Sequence, residues 1–312
     1  MTSFAIRDAV DDLPRLAVID VGVLGAAQWI HWRFLSERAI GTLTGFDPDP
    51  GACARCNMQA PPGIAYLPGL VADGNPVRLH RTRDPRYTSV FRPDTAFASA
   101  FEGLAEACQV ERVERLDSIR LADVSLPVGA GCDYLRVDVR GAEALVLENA
   151  GGHLATAAVV HTTAAMAPLY EEAPAFDRVD AVLGSRGFIM HRFFDGVSAS
   201  LASLPGLAVA QAESYGGQLL WSEAIYVKDY TDPCSQPLSV WLSLALAAHE
   251  MIDAPDLACR ALANADILDG GERAARYLDS YIAASGVAFP AAATTAVVPT
   301  RARGWLARLL GR

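Results

Sequence analysis

The segment 16–21 (LAVIDV) is a short apolar run that ends in an acid and meets the turn Gly22-Val23-Leu24-Gly25, after which helical spacing carries through Trp32 and Leu35. A second run, 42–47 (TLTGFD), also ends in an acid, and Pro48 behind it stops strand pairing and is expected to open the next helix. Two strands joined through one helix by short links pair in parallel by a crossover connection. This unit commits the chain to the α/β class.

Further strands are expected at 64–67, 77–81, 134–139, 158–162, 188–194 and 219–227. Between them, Phe97, Phe101 and Leu104 share a helical face, as do Phe176, Val179 and Leu183 in a helix ending at Gly187 with Arg186 in its last turn. Such alternation predicts a doubly wound, mostly parallel sheet. The last two strands are separated only by 195–217 and are expected to be antiparallel neighbours at one edge. Beyond residue 230 the pattern becomes three amphipathic helices, marked by Leu238, Trp241 and Ala245, by Leu257 and Leu262, and by Ala275, Leu278 and Ile282, with breaks at Pro255 and Gly270-Gly271. The expected organisation is a sheet domain over 1–230, a helical appendage over 231–283, and a small-residue linker with a basic amphipathic tail over 284–312.

With 312 residues, 52% of them hydrophobic, the chain can bury one sizeable core. Acids outnumber bases 36 to 26, for a formal net charge of −10, so nucleic acid is not an expected partner. Lys228 is the single lysine, which excludes a GxxxxGK[ST] phosphate loop. The amino terminus carries acids where a signal peptide needs bases, and no run of about 18 apolar residues follows, so the body is expected to be soluble and cytoplasmic. The six Cys read as reduced thiols. Cys53 and Cys56 make a CxxC without a second ligand pair, and Asp253 stands where a zincin-like His249-Glu250 would need its second His, so no metal site is expected.

In an open parallel sheet the ligand sits at the carboxyl ends of the strands. Asp20, Gly22, Gly25, Asp47, Asp49 and Asp138 are expected there. Glycine lets the backbone approach a ligand closely, and the acid ending the second strand, Asp47, suits the ribose hydroxyls of a nucleoside. The turn lacks the three-glycine spacing of dinucleotide proteins. An acid directly before it repels a pyrophosphate but accepts a hydrogen bond from the ammonium of a methionine moiety, so the expected cofactor is S-adenosyl-L-methionine.

The blocks IDVG at 19–22, GFDPDP at 45–50, TSVFRPD at 88–94, LDSI at 116–119, DYLRVDVRGAEALVLENA at 133–150, PLYEEAPAFDRVDAVLGSRGF at 168–188 and QLLWSEAIYVKD at 218–229 occur in that order. Through them the chain resembles the FkbM family of S-adenosylmethionine-dependent methyltransferases over residues 15–230, most specifically at 133–150. The resemblance implies a Rossmann-like, seven-stranded methyltransferase sheet that alkylates a hydroxyl oxygen on a glycan, polyketide or other secondary-metabolite acceptor of bacterial metabolism. By position it implies that Asp20, Gly22 and Gly25 form the cofactor turn, that Asp47 holds the ribose, that Asp73 stands near the adenine, and that Asp138 faces the methyl group with Gly141 and Glu143 behind it. Glu143 reads equally well as a first-turn helix acid. The family's Ala-Asn after the first glycine is Val23-Leu24 here, the acids before PLY are absent, and its Lys and Gln are Arg136 and Arg140.

Methyl transfer to a hydroxyl is a displacement governed largely by positioning, and the hydroxyl proton needs an acceptor. Asp138 and His161 are the candidates, with His80 third; His161 also reads as a hydrogen-bonded histidine inside an apolar strand. The expected function is O-methylation of a small-molecule or glycan hydroxyl. The altered turn motivates the alternative, a catalytically inactive scaffold of the same fold that binds a partner protein or a membrane surface. The tail, with Arg301, Arg303, Trp305 and Arg308, is expected to give at most a weak contact at the inner-membrane surface.

Overall fold

The computed structural model describes residues 4–22, 29–124, 131–202 and 217–286. Gly25 and the tail beyond 286 lie outside the described residues. The chain divides into two compact units, Arg15–Lys228, and a second that joins Met1–Pro14 to the chain from Asp229 onward.

In the larger unit the first crossover forms as expected, with β1 (Leu16–Val21) parallel to β2 (Gly41–Asp47), and β3 (Ile64–Pro68) continues it. Four short strands, β4 (Leu70–Ala72), β5 (Val77–Thr82), β6 (Val110–Leu116) and β7 (Ser118–Arg120), pair outside the main sheet, β4 with β7 and β5 with β6. With β8 (Tyr134–Val137), β9 (Val159–Ala165), β10 (Phe188–Ala199) and β11 (Gln218–Lys228), the main sheet has seven strands in the order β10-β11-β9-β8-β1-β2-β3. Strand β11 runs antiparallel to both β9 and β10, so the antiparallel pair closes one edge of an otherwise parallel sheet. The order reverses between β1 and β8, which is the switch point of a Rossmann-like sheet.

Every residue of β1 is buried, as a parallel strand covered on both faces requires. Ile19, Val21, Leu135, Val137 and Val160 pack with Val146 and Leu147 of the helix Glu143–Glu148 and with Val179 and Leu183 of the helix Phe176–Gly184. Three local expectations change. The helix Phe176–Gly184 ends at Ser185, before Arg186 and Gly187. Pro50, not Pro48, opens the second helix (Pro50–Gln59), because Asp49 caps it by accepting from the Gly51 N–H at 2.8 Å. The face shared by Phe97, Phe101 and Leu104 is divided between Thr95–Ala98 and Leu104–Ala107, since Gly103 at φ +68° interrupts the helix, although Phe101 and Leu104 still reach one buried cluster. Cys53 and Cys56 both face the core from Pro50–Gln59, and burial pushes the Cys53 thiol up to about 11.

The second unit contains the three expected helices, Leu238–Glu250, Pro255–Asp269 and Arg273–Ser285, with Pro255 in the first turn of the middle one and Gly270 ending it at φ +80°. Trp241 is fully buried and donates to the Pro233 carbonyl at 2.9 Å. His249 bonds the Tyr277 hydroxyl at 2.9 Å and the Phe4 carbonyl at 3.0 Å, a core role for the zincin-like pair. Residues up to Pro14 group with these helices, whereas the sequence reading leaves them with the sheet. The tie is Arg273, which bonds Asp12, Asp266 and Asp269. No helix among the described residues is long and apolar enough to cross a membrane.

Replacing Arg273 with methionine is expected to cost about 2 kcal/mol, the scale of charge-assisted bonds discounted for their partly exposed partners. Amide exchange should show residues 4–14 losing protection first. Unchanged protection there would mean that Asp12 does not anchor the segment.

Candidate functional site

A cleft opens at the carboxyl ends of β1, β2 and β8. It is lined by Val21 and Gly22, by the apolar Phe46, Pro48 and Val71, and by Asp138. Gly22 is at φ +98°, and a Cβ there would lie 1.9 Å from the Asp138 carbonyl oxygen, so only glycine lets the turn close against β8.

Asp20, Arg136 and His161 occupy neighbouring register positions on β1, β8 and β9, so their side chains leave one face of the sheet together. Asp20 is fully buried and accepts from Trp32 Nε1 at 2.8 Å and from Arg136 at 3.1 Å. Arg136 also bonds Asp138 Oδ2 at 2.9 Å, and Asp138 Oδ1 takes Arg140 at 2.9 Å and the Thr163 hydroxyl at 3.1 Å. Burial works against the charge on Arg136, but Asp20, Asp138 and Glu223 outweigh it and hold the guanidinium above its ordinary pKa. Glu223 bonds His161 Nε2 and stands 3.8 Å from Arg136; burial pushes its carboxyl up, yet these two partners bring it below the usual value. Three carboxylates on this surface are thus paired with two guanidiniums and with His161.

The loop after β8 is pinned from below. Glu143, completely buried, accepts from the Val139 N–H at 3.1 Å and the Gly141 N–H at 2.8 Å, while burial pushes its carboxyl up to about 7. Ser89 donates to the Arg140 carbonyl at 2.6 Å. Arg140 itself sits at φ +54°, an unusual conformation for a side-chain-bearing residue, and its guanidinium lies 5.0 Å from the Trp221 ring centre.

Of the residues singled out from sequence, Asp20, Gly22, Asp138 and His161 come together in this region. Both ring nitrogens of His161 are engaged, Nδ1 by the Tyr134 hydroxyl at 3.0 Å and Nε2 by Glu223. Asp47 ends β2 between two cleft-lining residues; its Oδ1 accepts from the Asp49 N–H at 2.7 Å, and burial raises its carboxyl to about 6. Asp73 instead closes its own turn, accepting from the Asn75 N–H at 2.9 Å and its side-chain amide at 3.0 Å. His80 bridges to Ser89 through the backbone. Sequence reasoning passed over Trp32, Thr163, Glu223 and the pairing role of Arg136 and Arg140, although the alternation Arg136-Val137-Asp138-Val139-Arg140 is a readable strand-face pattern. Among the described residues no cluster of potential ligands suits a metal ion.

No family model matches the chain, and no curated protein matches it. Among solved structures it is similar to an S-adenosylmethionine-dependent methyltransferase from Mesorhizobium loti, with TM-score 0.36 and 11% identity over 72% of this chain and 95% of that one. Magnesium protoporphyrin IX methyltransferase from Synechocystis, solved with S-adenosylmethionine bound, gives 0.34 and 12% over 72% and 76%. A TehB-like S-adenosylmethionine-dependent methyltransferase from Corynebacterium glutamicum gives 0.32 and 12% over 73% and 89%.

Proposed function

We propose that the chain is an S-adenosylmethionine-dependent O-methyltransferase. The observation that carries this reading is the cleft at the switch point, lined by Gly22, where any side chain would collide with the backbone after β8, and by Asp138. The residues fit the cofactor: Phe46, Pro48 and Val71 line the cleft with apolar surface for an adenine, and Asp47 stands at the strand end where ribose hydroxyls need an acceptor. When bound, S-adenosylmethionine supplies an activated methyl group. The chain's own part is to position the acceptor hydroxyl at Asp138 and to take its proton there, with Arg136, Arg140 and Thr163 fixing the carboxylate.

Calorimetric titration with S-adenosylmethionine and S-adenosylhomocysteine tests the reading, with Asp47→Ala and Asp138→Asn beside the wild type. Micromolar-range binding is expected, weakened at least tenfold in Asp47→Ala. Asp138→Asn should bind cofactor normally and lose about 10²–10⁴-fold in turnover, the range of a positioned base. Absence of heat together with absence of thermal stabilisation at saturating ligand would overturn the proposal.

The Asp47 carboxyl sets a pH dependence with opposed signs for binding and folding. Its folded pKa, about 6, is above the ordinary 3.8. Its contribution to stability is therefore fully present below the ordinary value and is lost as pH rises through about 6. Ribose binding through the ionised form does the reverse. Cofactor affinity should hold above that pH and fall toward tenfold per unit below it. A flat binding profile between pH 5 and 7.5 would remove Asp47 from the ribose.

One observation favours a second reading, a scaffold of the same fold without turnover. Asp20, buried and engaged by Trp32 and Arg136, presents no free carboxylate oxygen to a methionine ammonium. The same titration decides between the two.

A further inference from the structure

Asp20 is completely buried, although the residues that follow it, Val21 and Gly22, line the cleft. Three side chains stand around it. The Arg136 guanidinium donates to Oδ1 at 3.1 Å, and the Trp32 indole Nε1 donates to Oδ2 at 2.8 Å. On the β2 side, the Tyr66 ring lies over Gly45, the register partner of Asp20, and leaves no room there for a Cβ. The ammonium of a methionine moiety therefore reaches the Asp20 carboxylate only when one of these three covers leaves.

Trp32 is the cover with the weakest hold. Arg136 is tied to Asp138 and Glu223 as well as to Asp20, and moving it would strip a shared cation from buried acids. Tyr66 belongs to β3, where Asn57 bonds its backbone N–H at 2.7 Å and its carbonyl at 2.8 Å. Trp32 projects from the helix Trp29–Glu37, outside the sheet, and its single polar group is the uncharged N–H given to Asp20. Its ring meets Tyr134 edge-on at 6.0 Å and stacks with Phe34 at 6.3 Å. An ammonium bonds a carboxylate more strongly than an uncharged N–H does, so of the three covers the indole is the one that an ammonium can displace.

We propose that Trp32 is a displaceable cover on Asp20, which makes tight binding at the site depend on the amino-acid end of the ligand. The inference rests on the methyltransferase reading of the cleft. The indole N–H holds the carboxylate oxygen that the ligand ammonium takes, and the ring moves aside as the ammonium arrives. A nucleoside without an amino acid has no group with which to displace the indole, so it binds beside a covered Asp20. Affinity for the complete ligand is lowered by the cost of uncovering the carboxylate, as for any site whose binding-competent conformer is the minor one.

The test uses the full chain with two probes, S-adenosylhomocysteine and methylthioadenosine, which lacks the amino-acid end. Calorimetry compares the wild type with Trp32→Phe, which keeps an aromatic ring and loses the N–H. Trp32→Phe is expected to bind S-adenosylhomocysteine about tenfold more tightly, the scale of one hydrogen bond to a charged group, and to bind methylthioadenosine as the wild type does. A second measurement needs only the wild-type protein. By NMR, the indole N–H of Trp32 should exchange faster with solvent when S-adenosylhomocysteine saturates the protein, and at its original rate with methylthioadenosine. Equal S-adenosylhomocysteine affinity in the two proteins, or an indole N–H that stays protected with S-adenosylhomocysteine bound, would overturn the cover and leave the cofactor reading standing. Tighter binding of both probes by Trp32→Phe would overturn it as well, since the effect would then not depend on the amino-acid end. Heat from neither probe in either protein would overturn the cofactor reading and the role of Trp32 with it.

Discussion

Gly22→Ala is expected to abolish cofactor binding and to lower the melting temperature by about 10 °C, corresponding to roughly 2–4 kcal/mol in a chain of this size. The added Cβ would stand 1.9 Å from the Asp138 carbonyl oxygen and 2.7 Å from its carbon, both backbone atoms that no rotamer can move aside. Relief would require β1 and β8 to separate where the Asp138 N–H donates to the Val21 carbonyl at 2.9 Å, and that separation displaces Asp138. The left-handed φ adds its own strain. Gly103→Ala is the control, for Gly103 also has positive φ but nothing within 4 Å of its added Cβ. It should cost about 1 kcal/mol, the conformational component alone. If Gly22→Ala melts and binds like Gly103→Ala, the close approach of the two strand ends does not limit the site.

Arg136→Met should destabilise the sheet unit by about 3–5 kcal/mol, because it strips the shared cation from two buried carboxylates. Asp20 would keep only the indole N–H of Trp32, and Asp138 would lose the partner of its Oδ2. Urea midpoints measure the deficit. A loss under about 1 kcal/mol would mean that the guanidinium is not what holds the two carboxylates in the core. Arg136→Lys should be intermediate, since one ammonium does not reproduce the fork by which a guanidinium reaches Asp20 and Asp138 at once.

Strand β1 is legible because it is buried on both faces and is therefore written as an unbroken apolar run. The run at 16–21 coincides with β1, and the one at 42–47 misses only Gly41. Of the short strands beside the sheet, β5 is read from sequence at 77–81, whereas β6 is hidden for the converse reason. Strand β6 (VERVERL) exposes four of its seven residues and carries its charges in two adjacent pairs, Glu111-Arg112 and Glu114-Arg115, a pattern that resembles a loop. Helix ends depend on single residues, as Asp49 and Gly103 show, and these weigh little in a periodicity. Within the site, the strand-end acids can be read from sequence position. Their partners cannot, because the alignment of Arg136 with Asp20 and of Thr163 with Glu223 is set by register across strands that are distant in the chain.

Strand β11 lies between β9 and β10 although it is the last of the three to be made. A ribosome releasing this chain therefore exposes β10 before its neighbour exists, since β10 pairs only with β11 in the sheet. Through that interval His161 has no Glu223, Arg140 no Trp221, and β9 an open edge. The half of the site nearest β11 is thus completed by the final eleven residues of the sheet, 218–228. Any helper that guards the nascent chain would have its longest task at β9 and β10, whose unpaired edges offer a route to association between chains during synthesis.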